Sequence, residues 1–466
     1  MTDSLCILGR QPALGLAELE SLYGAAKLQP IAETAVLVHV DPCLLAFDRL
    51  GGSIKFCKLL TVLETTDWKQ IEKFLVEVSP GHSERMESGK MHLGLSAIGL
   101  NVTVQQLQAT ALTLKKAIRK TGRSVHVIPN NELQLSSAQV FHNKLTSPTG
   151  WELIFIREGN KTYVAQTVKV QNIDAYAARD QARPKRDSRV GMLPPKLAQI
   201  IVNLAVGELP DEAKQSVCEI PPDQPIPQQH FSSTLLLDPF CGTGVIPQEA
   251  LLMGYDVLDS DLEKRMVDFT DANLSWLKAK YPAIPSYELE VGDATTHQWE
   301  RKPTIIASET YLGRPFSALP TPDILKQVIS DVNTIHKKFL QNVLAQTEPG
   351  VRLCLAVPAW NKGGSRNISA DAMQGKAEQR TKPYMKYGAG AAQVLTQQRA
   401  ASSSGVGGYA THQAGAADDF WHLPVLDHLT DMGYTRLSFV HAKNEDLIYH
   451  REGQIVGREL IVLIRS

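Results

Sequence analysis

The sequence lacks the features that mark several large protein classes. Its six cysteines are scattered and form no Cys-x-x-Cys pair, which argues against a zinc site and a disulfide framework and favours a reducing cytoplasm. No apolar run approaches about 18 residues, so no membrane span is expected. The first residues lack the basic and then apolar pattern of a signal peptide. The 13 histidines show no metal-ligand spacing, so no metal site is expected.

The sequence also has no excess of charge of either sign. Lys and Arg number 48 against 49 Asp and Glu, which gives a net charge of −1. No overall attraction to nucleic acid or to a membrane surface follows from such a balance, so any basic surface has to be local.

One glycine loop stands out, and it lacks the residues that phosphate-binding loops need. Residues 235–262 read LLLDPFCGTGVIPQEALLMGYDVLDSDL, an apolar strand pattern, a glycine loop, a helical pattern and an acidic residue. A P-loop requires Gly-Lys-Ser or Gly-Lys-Thr, and none follows. A dinucleotide fingerprint requires a third glycine, where this chain has Pro247.

The residues that remain fit S-adenosylmethionine better than a phosphate ligand. Gly242 and Gly244 would let the backbone pass close to an amino-acid and ribose moiety. Asp261, at the end of the next strand, is placed to accept from both ribose hydroxyls, and Asp293, after a third strand, from the adenine amino group. Each acid alone would suit a helix cap or a loop equally well. The predicted cofactor-binding residues are Asp238, Pro239, Phe240, Gly242, Thr243, Gly244, Asp261 and Asp293.

The pattern of strands and helices divides the chain into two halves. Short strands alternate with helices to about residue 170, as in a mixed α+β region. From residue 233 the alternation is typical of an open, mostly parallel sheet. Residues 361–417, rich in Gly, Ala, Ser and Gln, are predicted to be a disordered insertion, and residues 420–434 are predicted to form a helix.

Several motifs together resemble the THUMP-domain methyltransferases that modify tRNA, most closely the guanosine N2-methyltransferases that act on tRNA position ten. They are DPFCGTG and RPKRDSRVGMLPPKLAQIIVNLA in the second half, LKKAIRKTGRSVHVIPNNELQLSSAQVFHNKL in the THUMP-like part and the terminal DLIYHREGQIVGRELIVL. The resemblance implies a cytoplasmic enzyme that transfers a methyl group from S-adenosylmethionine to the exocyclic N2 amine of a guanosine in tRNA.

The resemblance also implies a fold and a set of domain boundaries. The expected catalytic domain is a Rossmann-like class I α/β methyltransferase domain, with a mostly parallel seven-stranded sheet whose last strand is antiparallel. An α+β ferredoxin-like and THUMP region precedes it. The predicted parts are a ferredoxin-like region at 1–65, a THUMP-like RNA-binding domain at 66–172, a connector and leading helix at 173–206, a surface linker at 207–232 and the methyltransferase domain at 233–466.

The catalytic motif departs from the pattern of related enzymes. Enzymes that methylate an exocyclic amine usually carry Asp, Asn or Ser, then Pro-Pro, then Tyr or Phe after the fourth strand. An oxygen acceptor there restores electron density to a delocalised amine, and the aromatic ring stacks on the extruded base. Aligned on the tyrosine, this chain has Ser308, Glu309, Thr310 and Tyr311. Ser308 or Glu309 is therefore predicted to accept from the amine and Tyr311 to stack, although a structural turn in a protein of lost activity would also fit.

Two groups of basic residues are candidates for contact with RNA. Lys115, Lys116, Arg119, Lys120 and Arg123 fall within three turns of one predicted helix and its end, and Lys144 follows nearby. Alone, such a run is usually a solvated face; the THUMP resemblance favours contact with phosphates. The connector residues Arg183, Lys185, Arg186 and Arg189 either meet RNA backbone or pair with Asp180 and Asp187.

Two other functions remain open from the sequence. A DNA amino-methyltransferase would share the motif after the fourth strand, although the THUMP-like half argues against it. A catalytically decayed RNA-binding protein would explain the absent prolines. The chain is expected to be a monomer, and the resemblance leaves open a small activating partner protein.

Overall fold

Two β-sheets, one in each half of the chain, organise the fold. The computed structural model of the protein describes residues 3–187, 193–209, 230–316, 318–362 and 419–466. Within these ranges the sheets have eight and nine strands. None of the helices described there is both long and apolar enough to span a membrane.

The N-terminal sheet joins the two segments predicted as separate regions. Its strands lie in the order β2-β3-β1-β4-β8-β7-β5-β6, and the antiparallel pairing of β4 with β8 links the first 65 residues to those that follow. The boundary at residue 65 stays a prediction. The elements are β1 (Ser4–Leu8), α1 (Pro12–Tyr23), β2 (Leu28–Ala32), β3 (Ala35–Val38), β4 (Ser53–Leu63), α2 (Trp68–Arg85), β5 (Met91–Ile98), α3 (Val104–Arg119), β6 (Val125–Val127), α4 (Ser137–His142), β7 (Gly150–Glu158), β8 (Lys161–Val170) and α5 (Ile173–Gln181).

The C-terminal sheet confirms the predicted class I methyltransferase fold. Its main path runs β11-β10-β9-β12-β13-β17-β15, in which the first five strands are parallel and β17 is antiparallel to both neighbours. The elements are α6 (Pro195–Val206), β9 (Phe231–Asp238), α7 (Val245–Leu252), β10 (Tyr255–Asp261), α8 (Lys264–Lys280), β11 (Tyr287–Val291), β12 (Ile305–Glu309), α9 (Pro322–Gln346), β13 (Arg352–Asn361), β14 (Phe420–Trp421), β15 (Tyr434–Arg436), β16 (Ile448–Tyr449) and β17 (Val456–Arg465).

The helix predicted at 420–434 is wrong. Phe420 and Trp421 pair with the end of β13 as a strand, and only a short 3-10 helix, Pro424–His428, follows. Pro424 has no backbone N–H to donate, which a helix that began at residue 420 would need at this position.

Most of the predicted insertion and of the 207–232 linker lies outside the described residues, but the linker's last residues belong to β9.

A buried polar contact fixes the two halves against each other. The carboxylate of Glu18, on α1, is fully buried and accepts from the backbone N–H of Gly51 (2.9 Å) and Gly52 (2.8 Å) and from Asn203 Nδ2 on α6 (2.7 Å). Burial raises the pKa of Glu18 to about 7. Leu14 of α1 packs in the same apolar core as α6. The N-terminal half is therefore held in a defined position relative to the C-terminal sheet.

A second buried charge lies inside the N-terminal sheet. Lys55 Nζ, on β4, donates to Glu152 Oε1, on β7, at 2.5 Å, and both side chains are buried. Ser96 and Thr167 also donate to the Glu152 carboxylate, at 2.7 and 2.6 Å. Four strands, β4, β5, β7 and β8, thus share one satisfied polar cluster.

We expect Glu152→Gln to lower the free energy of unfolding by about 3–5 kcal/mol, because it leaves the Lys55 ammonium buried without a counter-charge. Urea unfolding followed by circular dichroism measures this. Glu64→Gln is the matched control, since it removes an ion pair with Lys161 that lies largely in solvent, and we expect it to cost under about 1 kcal/mol. Equal losses in the two variants would contradict the assignment.

Candidate active site

The candidate site is a cavity of about 760 Å³ at the carboxyl ends of the parallel strands of the C-terminal sheet. Its floor follows β9, β10 and β12, and its outer wall comes from α9 and the loop after β12. Parallel strands that end at one edge bring loops that are distant in sequence together there. The predicted residues that line it are Asp238, Pro239, Phe240, Gly242, Thr243, Asp261, Asp293, Glu309 and Tyr311; Gly244 and Ser308 do not.

The glycine loop turns sharply from β9 into α7. Gly242 and Gly244 have φ values of 52° and 78°, in the left-handed region that favours glycine. A Cβ at Gly244 would lie 2.9 Å from the side chain of Thr270. The Thr270 hydroxyl donates to the Gly242 carbonyl at 3.0 Å. Gly244 is therefore required by the turn, whereas Gly242 faces the cavity.

Asp238, the last residue of β9, is a buried carboxyl group at the floor of the cavity. Its Oδ1 accepts from Ser308 Oγ at 2.6 Å and from the Phe240 backbone N–H at 3.2 Å. Burial raises its pKa to about 7, although both hydrogen bonds favour the ionised form.

Asp261 is the last residue of β10, Asp293 follows the end of β11, and both line the same cavity. Asp261 accepts from the backbone N–H of Gly242 (3.0 Å) and of Glu263 (2.9 Å), so it braces the glycine loop. Burial raises the pKa of Asp261. Asp293 accepts from the backbone N–H and the hydroxyl of Thr295, at 2.9 and 2.8 Å. Glu263 also lines the cavity and was not predicted to do so.

The alternation of β12 separates the two candidate acceptors of the catalytic motif. Successive side chains of a strand point to opposite faces. Ser308 is fully buried and its hydroxyl is engaged by Asp238. Glu309 lines the cavity and forms an ion pair with Arg458 of β17, a residue to which no sequence motif assigns a role. Glu309, rather than Ser308, therefore presents its side chain to the cavity, one residue closer to Tyr311 than the acidic residue of the usual motif, and Tyr311 is 44% exposed.

Hydrogen bonds replace the missing prolines in the turn after Glu309. The Thr310 backbone N–H donates to the Ala356 carbonyl at 3.1 Å, and the Thr310 hydroxyl lies 2.7 Å from His336 Nε2. His336 Nδ1 lies 2.8 Å from the Val332 carbonyl, which can only accept, so Nδ1 carries the proton and Nε2 accepts from the Thr310 hydroxyl, which also lies 3.1 Å from the Ala356 carbonyl. Burial lowers the pKa of His336 to about 4, so the ring is neutral.

The connector before the catalytic domain lies behind the glycine loop. Arg183 is buried, pairs with Asp180 at 3.4 Å and donates to the carbonyl and the hydroxyl of Thr243 at 3.4 and 3.3 Å. Asn273 donates to the Thr243 carbonyl at 2.8 Å. Asp187 pairs with Arg265 at 2.7 Å. For Arg183 the structure therefore favours the internal pairing over contact with RNA; Arg189 lies outside the described residues.

The predicted RNA-binding residues do not all form one free surface. On α3 and just after it, Lys116, Arg119 and Lys120 are exposed, and Lys115 is partly buried. Arg123 donates instead to the backbone carbonyls of Ser83, Met86 and Glu87 at the end of α2, a structural contact. Lys144 is exposed, after α4.

Two curated relatives and one solved structure show what the chain is similar to. No protein-family model matches the chain. A tRNA (guanine(10)-N2)-dimethyltransferase of Methanothermobacter thermautotrophicus is 27% identical over 183 residues, which are 39% of this chain and 44% of that protein. A protein of the same name from Pyrococcus abyssi is 28% identical over 175 residues, 37% of this chain and 40% of the relative. The crystal structure of TrmN from Thermus thermophilus aligns over 100% of both chains, with 15% identity and a TM-score of 0.47.

The matched region spans less than half the length of either curated relative. The resemblance predicted from the motifs is confirmed: this chain is similar to tRNA (guanine(10)-N2)-dimethyltransferases over 39% and 37% of its length.

Proposed function

We propose that the protein is an S-adenosylmethionine-dependent tRNA methyltransferase that acts on the exocyclic N2 amine of a guanosine. One observation carries the proposal. A single cavity is lined on one side by Asp238, Asp261 and Asp293 and on the other by Glu309 and Tyr311. The proposed cofactor residues and the proposed substrate residues therefore face the same space.

The residues present fit the cofactor. A cavity of about 760 Å³ is within the range of sites that hold ligands of this size. Asp261 would accept from the ribose hydroxyls and Asp293 from the adenine amine, while Gly242 lets the backbone approach. Asp238, with Pro239, Phe240 and Thr243, lies where the amino-acid moiety would bind. When bound, S-adenosylmethionine supplies an electrophilic methyl group on a sulfonium.

The opposite wall would prepare the amine. The lone pair of a guanine N2 is delocalised into the ring, so the amine is a poor nucleophile. Glu309 would accept an N–H of that amine, increase the electron density on nitrogen and disperse the positive charge that develops during transfer. Tyr311 is exposed at the mouth, where it would stack on the extruded base. We assign Ser308 to holding Asp238, because its hydroxyl already donates there.

The N-terminal half would bind the tRNA. Lys116, Arg119 and Lys120 present exposed charges on and just after α3, and Lys115 and Lys144 lie on the same half. The buried contact of Glu18 with Asn203 would keep this surface at a fixed distance from the cavity. We propose the cytoplasm as the compartment, which the free thiols of Cys6, Cys57, Cys241 and Cys354 favour.

The first experiment incubates the purified protein with methyl-labelled S-adenosylmethionine and unmodified tRNA and analyses the labelled nucleosides. We expect label in N2-methylguanosine and a loss of at least about 100-fold in Glu309→Gln. Glu288→Gln is the control, because Glu288 pairs with Arg301 outside the cavity lining. Label in another nucleoside would contradict the assignment of guanosine as the substrate. Cofactor binding without any methyl transfer would contradict the proposed activity.

Cofactor affinity is expected to depend on pH through Asp238. An ionised carboxylate favours a cationic ligand, so the affinity for S-adenosylmethionine should fall as the pH drops through about 7, the pKa of Asp238. Ser308→Ala removes a donor that favours the ionised form, so the midpoint should move to higher pH. Calorimetry from about pH 6 to about pH 8.5 measures both. Asp238→Asn should flatten the profile, and a flat profile in the unaltered protein would refute the assignment.

The α3 surface is expected to contribute affinity that salt screens. Replacing Lys116, Arg119 and Lys120 with Gln should weaken tRNA binding and reduce the slope of log Kd against log salt by about 2–3. Binding of S-adenosylmethionine should not change. Lys278→Gln with Lys280→Gln, two exposed lysines on α8, is the control. An unaltered salt slope in the triple variant would exclude this surface.

A further inference from the structure

We propose that Arg458, on β17, is a positioning residue that holds the Glu309 carboxylate in the orientation needed for methyl transfer. The inference rests on the proposed function of the cavity. It assigns a role to a residue in the terminal segment of the chain that does not itself line the cavity.

The contact crosses an intervening strand. Arg458 Nε donates to Glu309 Oε1. In the sheet, β13 separates β12 from β17, with Glu309 opposite Ala356 and Ala356 opposite Leu460. Arg458 therefore lies two positions along β17 from the residue in line with Glu309. Only a long side chain that reaches over β13 makes this bond.

The pair is shielded from solvent. The Arg458 side chain is 8% exposed and the Glu309 side chain 16% exposed. In such an environment a charge-assisted hydrogen bond is strong, and an unpartnered charge is costly. The bond therefore keeps the Glu309 carboxylate in one place.

The bond also leaves one oxygen of Glu309 available. Arg458 donates to Oε1, and no hydrogen bond among the described residues involves Oε2. Glu309 contributes to the cavity lining. A carboxylate held through one oxygen can offer the other to an amine N–H in a fixed direction.

The Glu309 side chain needs a partner that fixes it, because it is long and flexible. Glutamate has one more rotatable bond than the aspartate of the usual motif, so more side-chain freedom is lost when its carboxylate is fixed. The hydrogen bonds of Thr310 fix the backbone of the turn, but they do not fix the Glu309 side chain. Arg458 supplies that second constraint.

Arg458 itself stands on a well-fixed strand. The next residue, Glu459, is buried and accepts from His422 Nδ1 at 2.6 Å and from Arg436 at 2.9 Å. These contacts hold β17 and point away from Glu309, since neighbouring residues of a strand face opposite sides. The contact of Arg436 with Glu459 therefore offers a matched control for substitutions of Arg458.

The experiment compares steady-state methylation of tRNA by the unaltered protein, Arg458→Gln, Arg458→Lys and the control Arg436→Gln. We expect Arg458→Gln to lower kcat about 100-fold while KM for S-adenosylmethionine and for tRNA changes less than about threefold, because misplacing the acceptor affects the reacting geometry and leaves binding intact. Arg458→Lys keeps the charge and loses the Nε donor, so a smaller loss, about tenfold, is expected. Arg436→Gln should lower the melting temperature and leave kcat unchanged.

A double-mutant cycle separates positioning from general damage. If Arg458 acts through Glu309, adding Arg458→Gln to Glu309→Gln should cost little further activity. Multiplicative losses, or a kcat of Arg458→Gln equal to that of the active unaltered protein, would overturn the inference alone. Absence of transfer by the unaltered protein would instead overturn the proposed function and the inference with it. If Arg458→Gln fails to fold, Arg458→Lys with Glu309→Gln supplies the same cycle.

Discussion

The concentration of carboxyl groups at one sheet edge is the constraint on which the rest of the site depends. Asp238, Asp261, Glu263, Asp293 and Glu309 all line one cavity, and burial raises the pKa of Asp238 and of Asp261. Such a cluster is stable only where each member finds donors. Backbone N–H groups of the glycine loop and of the turns after β10 and β11 supply them to the aspartates, and Arg458 supplies one to Glu309. Backbone N–H groups therefore hold the three aspartates of the cavity in place, and a side chain holds Glu309.

Hydrogen bonds also connect the N-terminal half, the proposed tRNA-binding part, to the elements that line the cavity. The connector begins at the N-terminal half and ends behind the glycine loop, where Arg183 and Asn273 both donate to Thr243. Glu18 closes the opposite side of the interface through Asn203. These contacts fix the position of α3 relative to the cavity, so a tRNA bound by α3 would reach the cavity in one defined orientation. Specificity for one nucleotide would then come from the distance between the two surfaces as well as from the pocket that receives the base.

The sequence predicts the structure best where local pattern decides it. The glycine loop and the acids at strand ends follow from strand order, and Asp238, Asp261 and Asp293, which the sequence groups together, all line one cavity. The prediction is wrong where a partner distant in sequence decides the secondary structure. Residues 420–434 have the pattern of a helix, but Phe420 and Trp421 pair with β13 as a strand. Alignment on Tyr311 could not show which of two neighbours faces the cavity, because a shift of one residue exchanges the faces of a strand. Arg458 is 149 residues from Glu309, and no spacing rule links them.

The absence of both motif prolines suggests lost activity when the sequence is read alone. In the structure, hydrogen bonds of Thr310 hold the turn where the prolines would lie. A proline at position 310 would forfeit the N–H that now donates to Ala356, so the turn seen here extends the strand pairing by one bond that a proline would prevent. The Thr310 hydroxyl then takes its place against a neutral, buried His336. These contacts satisfy a hydroxyl and an imidazole that would otherwise be buried without hydrogen bonds, at a cost in stability. Each unusual residue from Ser308 to Thr310 has a specific partner: Asp238, Arg458 and His336. Under the proposed function, the motif is a second way to hold an oxygen acceptor at the end of β12, with hydrogen bonds in place of proline rings.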